Sequence, residues 1–110
     1  MAAPDLDLLQ GTLDLLILKT LTWGPRHGYA VAQWIRDTTD AALDIEEGAL
    51  YTALHRMEKR GLLTAEWGLS ENNRKAKYYE LTQLGRKQLR SKTDIWTLYA
   101  SAVFKVLQTA

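Results

Sequence analysis

Between residues 46 and 77 the chain gathers cations at spacings that would put them on one surface. The stretch EEGALYTALHRMEKRGLL, 46–63, holds His55, Arg56, Lys59 and Arg60, and ENNRKAK, 71–77, holds Arg74, Lys75 and Lys77. Lys and Arg neutralise phosphates and release their counterions, and Arg also grips a guanine edge through two hydrogen bonds. These residue types offer binding to a polyanion. They do not offer catalysis. No Ser-His-Asp spacing, glycine-rich phosphate loop or pair of acids in an apolar setting occurs, and His55 with Glu58 is an ordinary i, i+3 surface pair. No enzymatic activity is expected. With two His and no Cys, neither a metal site nor a disulfide framework is expected, and no cofactor is implied.

Net charge is only +1, but it is unevenly spread. Residues 1–47 hold three Lys/Arg against eight Asp/Glu, whereas residues 48–110 hold eleven against five. A polyanionic partner on one face accounts for that separation. The 110 residues suffice for one domain, and 46% apolar with 25% charged residues is ordinary globular usage. The longest apolar run, LLIL at 15–18, is far too short to span a membrane, and no signal-peptide pattern opens the chain. The cytoplasm is the expected location.

The cations need elements to position them. Leu6, Leu9, Leu13, Leu16 and Thr20 recur at helical spacing, with Leu8, Leu15 and Leu18 widening the stripe, so a first helix is expected over 5–22. WGPRHG at 23–28 is a turn, and a second helix follows over 27–39, burying Val31 and Ile35. The third helix, 46–60, places Leu50, Leu54 and Met57 on one stripe with Ala53 beside them. At about 100° per residue, Gly48, Thr52, His55 and Lys59 point the opposite way, with Tyr51 and Arg56 on the flanks. Gly61 ends this helix. The period then falls to 2: LLTAEW, 62–67, and KYYEL, 77–81, read as strands joined by a basic hairpin tip. Trp67 and Tyr79 are expected beneath that hairpin, in the core. A last helix starts at Thr82, an N-cap, and runs to about Leu107. Gly85 in its first turn is expected to weaken it slightly.

Helix, helix, helix, strand, strand, long helix is the order of a winged helix-turn-helix. The fold class expected is mainly α with a small β-hairpin wing, residues 1–81 forming the DNA-binding domain and 82–110 a dimerisation helix. An α-helix fits the DNA major groove, and its outward face meets base edges and phosphates. Gly48 allows close approach of backbone, and free N–H groups at that helix start can meet a phosphate. Arg74, Lys75 and Lys77 can lie along the flanking backbone or in the minor groove. Tyr51 reads first as a packing residue whose hydroxyl meets something polar. Lys59 and Arg60 also suit the helix dipole. Along the last helix Trp96, Tyr99, Val103 and Val106 would form a large apolar patch on a monomer, which marks an interface. The Leu9, Leu13 and Leu16 stripe is its natural counterpart, giving a homodimer on an inverted repeat.

HGY at 27–29, GALYTALHRMEKRGLL at 48–63, EWG at 66–68, SENNRKAKYYELT at 70–82 and LGRKQL at 84–89 together resemble the PadR family of bacterial winged-helix transcription regulators. The resemblance extends over roughly residues 9–107, and the length resembles that of the subgroup with a single C-terminal helix. It implies a homodimer joined through the first and last helices, repressing from a pseudo-palindromic operator and released by an aromatic or hydrophobic effector. It also implies that helix 46–60 reads the DNA, that residues 69–77 form the wing tip, and that His27 and Tyr29 sit beside the DNA backbone. An aromatic residue of the last helix, here Trp96, would line the effector cavity or serve simply as interface core. Two residues depart from the family pattern: Ala49 stands where Ser or Thr is usual before Leu-Tyr, and Thr52 where Pro often follows Tyr. Asn73, where Gly is frequent, suits a left-handed turn. The rival reading is a protein-interaction module on the same scaffold, without DNA.

Overall fold

The protein, as a computed structural model, is described over residues 11–110. Gly11, at φ 83°, leads into α1 (Thr12–Thr20), which tightens into one 3₁₀ turn, Leu21–Trp23. Gly24, at φ 138°, ends that turn. The expected start of the first helix, and Leu9 with it, lies outside the described residues. A two-residue strand, β1 (Arg26–His27), comes next and was not anticipated from the sequence. It is too short to show a period, and only its pairing with Tyr78 and Tyr79 makes it a strand.

Helix α2 (Gly28–Thr38) is capped by His27, whose Nδ1 accepts a hydrogen bond from the Ala30 N–H at 3.2 Å. Helix α3 (Glu47–Lys59) carries its buried stripe where the spacing places it, on Leu50, Ala53, Leu54 and Met57. It stops because Gly61 turns left-handed, at φ 78°. The Leu62 N–H then donates to the Met57 carbonyl and the Gly61 N–H to the Glu58 carbonyl, each at 3.0 Å, which satisfies the last turn. Strands β2 (Leu63–Leu69) and β3 (Lys75–Leu81) pair antiparallel in register from Leu63↔Leu81 to Leu69↔Lys75, giving the sheet order β1-β3-β2. Asn73 sits at φ 58° in the turn between them.

Core side chains come from every layer: Ile17, Leu18 and Leu21, then Val31 and Ile35, the α3 stripe, and Leu63, Tyr79 and Leu81 of the sheet. Burial of the Tyr79 ring also holds its hydroxyl pKa above the ordinary value, so the ring stays neutral in place. Helix α4 (Gln83–Leu107) begins at Thr82, whose Oγ1 accepts from the Gly85 N–H at 2.9 Å. Gly85 does more than weaken this helix. A Cβ there would run into the Leu62 carbonyl oxygen, so glycine lets α4 start directly against the end of α3. The far half of α4 leaves Ile95, Trp96, Leu98, Tyr99, Val103 and Phe104 exposed. Among the described residues no helix is long and apolar enough to cross a membrane.

Candidate nucleic-acid interface

Helix α3 turns Gly48, Ala49, Thr52, His55 and Lys59 to solvent, as its periodicity requires. Tyr51, on the flank, lies across Gly28: a Cβ on Gly28 would come within 2.7 Å of the Tyr51 ring. Glycine at 28 thus seats α3 against the start of α2. At the α3 N-terminus the Glu46 carboxylate lies beside Gly48, 2.9 Å from where a Cβ would stand. A phosphate approaching those free N–H groups would share the space with that carboxylate.

Arg56 is placed differently from its neighbours. Its guanidinium donates two hydrogen bonds to Asp14 of α1, at 2.6 and 2.8 Å, with side chains 39% and 12% exposed respectively. Those hydrogen bonds hold the guanidinium above its ordinary pKa. Lys77 is similarly engaged, its Nζ 3.0 Å from Glu58 of α3, and that hydrogen bond raises the ammonium's pKa. Arg74 and Lys75, exposed at the hairpin tip, form no ion pair with another described residue.

The wing is tied to the helices at its other edge. His27 Nε2 stands 3.5 Å from the Glu71 carboxylate, and its ring meets Tyr78 edge-on at 5.4 Å between centroids. Its own backbone N–H first, and then the nearby His27 ring, lower the Glu71 pKa. Because the His27 ring caps α2 and also faces the wing, it acts as a spacer between them. Tyr29 beside it is exposed.

Two open concavities lie among these parts. One, of about 590 Å³, lies between α2, α3 and the wing, with Tyr29, Tyr51, Trp67, Arg74 and Lys75 among its lining. The other, also about 590 Å³, runs along the α3 flank past Tyr51, Thr52, His55, Arg56 and Lys59. Tyr51 lines both. Trp67 is the residue the sequence misplaced. Expected in the core, it is 64% exposed, with the Lys75 ammonium 5.1 Å above its ring. Alternation assigned its face of the strand correctly, but the core ends before the strand does. Asp14, which partners Arg56, was missed because nothing local in the sequence marks it.

The proposed interface residues of the other end fall less uniformly. Leu13 and Leu16 are partly buried against the protein's own core, whereas Trp96, Tyr99, Val103 and Val106 are exposed. Leu15 of α1 faces Ile95, Trp96 and Tyr99 of α4 across a groove of about 490 Å³.

Four helices and a three-stranded antiparallel sheet ending in a basic hairpin define a winged-helix protein. Residues 17–91 match the model of the transcriptional regulator PadR-like family, and the chain belongs to that family. It is a family of DNA-binding transcription regulators, not of enzymes. The chain is 33% identical over 90 residues to an uncharacterized protein X of Lysinibacillus sphaericus, covering 82% of this chain and 83% of that one. It is similar in structure to a transcriptional regulator from Clostridium thermocellum, at a TM-score of 0.79 and 33% identity, over 87% of this chain and 93% of the other. A PadR family regulator from Eggerthella lenta is similar at 0.77 and 34% identity, over 92% and 86% of the two chains. One from Clostridium difficile is similar at 0.76 and 29%, over 88% and 99%.

Proposed function

We propose that the protein is a homodimeric repressor that binds an inverted-repeat operator through α3 and the wing. The observation that carries this reading is the exposed face made by α3 and the hairpin tip, where Tyr51 lines both the concavity past His55 and Lys59 and the one bounded by Arg74 and Lys75. On that face Gly48, Ala49, Thr52, His55 and Lys59 face the major groove, while Arg74 and Lys75 reach the flanking backbone. His27 and Tyr29 sit at the edge of the same hollow and meet the adjoining phosphates. Arg56 and Lys77 contribute from pairs with Asp14 and Glu58, so their main part is to hold α3 against α1 and the wing against α3. Two copies joined through α4 would set two recognition helices about one DNA turn, ~34 Å, apart.

Selection of bound sequences from random duplex tests this directly, the expected product being an inverted repeat. Affinity for that repeat should fall steeply with salt, and Arg74→Ala/Lys75→Ala should weaken it and flatten the salt slope by about four, two phosphate contacts being lost from each copy of the dimer. A double variant that binds as well as the wild type would remove the wing from the interface. A protein-interaction module would instead enrich no sequence and show no such salt dependence.

The groove beside Trp96 supports an effector reading. Its volume of about 490 Å³ suits a flat aromatic molecule, and its walls are apolar apart from Thr12 and Lys92. Such a ligand would act by favouring a dimer spacing in which the reading helices no longer match the duplex, which requires tighter binding to that state. Quenching of tryptophan emission by aromatic compounds, lost in Trp96→Ala, is the expected result. Equal quenching in the variant would return Trp96 to plain interface core.

A further inference from the structure

The wing has an inner face and an outer face, and the register between its strands assigns each residue to one of them. Leu63, Ala65, Trp67 and Leu69 share a face with Leu81, Tyr79, Lys77 and Lys75 across the pair. Near the base Leu63, Tyr79 and Leu81 are buried in the core. Lys77 reaches Glu58, which shows that this face is turned toward α3. Beyond Ala65 the same face runs past the core. Trp67 and Leu69 are both 64% exposed there, opposite and beside Lys77 and Lys75.

Trp67 and Leu69 together leave adjoining apolar surface in water on the inward face of the strand, and contiguous surface of that kind marks a place of contact. The outer face supplies a contrast. There Tyr78 lays its ring across Gly68 and donates its hydroxyl to the Leu69 carbonyl at 2.7 Å, so that aromatic group is satisfied within the hairpin. Among the described residues Trp67 has no comparable partner: its ring carries the Lys75 ammonium, 5.1 Å away. It opens onto the hollow whose other walls include Tyr29 and Tyr51.

We propose that Trp67 packs against the deoxyribose rings of the DNA strand lying between the wing and α3, with Lys75 held over the indole to meet the adjoining phosphate. This rests on the DNA-binding reading above and adds to it an apolar contact. A nucleic-acid backbone alternates apolar sugar faces with anionic phosphates. The inner face of the wing sets an apolar row, Trp67 and Leu69 of β2, beside the ammonium of Lys75 on β3, unpaired among the described residues, so a passing backbone can meet both kinds of group. Base reading is a poorer use of this side chain, because an indole has a single donor and no acceptor. The contact therefore strengthens binding to every duplex alike and fixes the register of the wing on the backbone.

The experiment compares Trp67→Ala, Trp67→Phe and Lys75→Ala with the wild-type full chain, by fluorescence anisotropy on the selected duplex and on an unrelated duplex, across a salt series. Trp67→Ala is expected to weaken both duplexes by about tenfold or more, the scale of partial burial of one aromatic side chain from each copy. Its salt dependence should match that of the wild type, since an apolar contact releases no counterion. Lys75→Ala should instead lower the salt slope by about two, one contact from each copy. Trp67→Phe should recover most of the affinity, which a fold defect would not permit, and thermal melting should confirm that each variant is folded. Wild-type affinity in Trp67→Ala, beside a loss in Lys75→Ala, overturns the sugar contact and leaves the DNA reading standing. A weaker Trp67→Ala whose salt slope falls like that of Lys75→Ala also overturns it, making the indole a mere support for the lysine. So does a variant that keeps its affinity for DNA while its self-association changes. A wild-type chain that binds no duplex at all overturns both readings.

Discussion

Asp14 and Arg56 lie 42 residues apart in the chain, yet their side chains meet in two short parallel hydrogen bonds. A bidentate pair of this kind fixes orientation as well as distance, so it locks α3 against α1. Removing Asp14 leaves a guanidinium without its partner at a half-buried site. Because Arg56 is still two-fifths exposed, solvent recovers part of the loss. Asp14→Ala is expected to cost roughly 1–2 kcal/mol, read as a drop in thermal midpoint. Adding Arg56→Ala should cost little more, because the partners act together. If the two losses simply add, the pair contributes nothing as a pair. A second site shows the opposite kind of imperfection. Asp40 and Ala41 both adopt positive φ, 52° and 65°, as the chain leaves α2, and the Ala41 N–H donates to the Arg36 carbonyl at 2.8 Å. Alanine has no side-chain bond to offset that conformation. Ala41→Gly is expected to raise stability by about 0.5–1 kcal/mol, the left-handed strain removed exceeding the entropy added to the unfolded chain. An unchanged or lower melting temperature would show that the turn is not strained.

At the level of elements, the joint between the wing and α4 does what no single strand or helix can. Thr82 Oγ1 donates to the Gly61 carbonyl at 2.7 Å and accepts from the Gly85 N–H, so one hydroxyl stitches the end of α3 to the start of α4. Gly85 permits that closeness. Gly85→Ala should improve local helix propensity and still destabilise the protein, by about 1–3 kcal/mol, because the added methyl has backbone in its way. A stabilised variant would mean that α4 can swing clear of Leu62 without loss. The contrast between propensity and packing also explains what the sequence made legible. The helical stripe of α3, the clean stop at Gly61 and the alternation of β2 and β3 are local periodicities, and the structure has each of them within a residue or two. β1 exists only through a distant partner, and so does the Asp14–Arg56 pair. Gly85 looked like a weak helix former because its neighbour in space, Leu62, is remote in sequence. Trp67 failed for a subtler reason: alternation tells which face a side chain takes, never how far along the strand the core extends.

For the whole molecule, the exposed apolar side of α4 is the feature that most needs a partner. Trp96, Tyr99, Val103 and Val106 recur at i, i+3, i+7 and i+10, one stripe of a straight helix, and each is exposed on the single chain. Such a stripe is stable in water when a second copy covers it, and pairing is also what would turn two modest DNA contacts into one tight one. Val103→Glu combined with Val106→Glu places two charges in that stripe without touching the core or the basic surface. Sedimentation of the wild type should give twice the 12.5 kDa of one chain, and the variant should run as a single chain with an unchanged helical signal. Operator affinity should then fall by about a hundredfold or more, the scale of lost bivalency, while contacts at a lone half-site stay intact. Binding of the variant to an isolated half-site duplex, equal to that of the wild type, would localise the loss to pairing and leave the reading head unaffected. A variant that remains dimeric would move the interface off α4. A monomeric variant that holds the operator as tightly as before would mean that one copy is enough for recognition, and the inverted repeat would then have no structural basis.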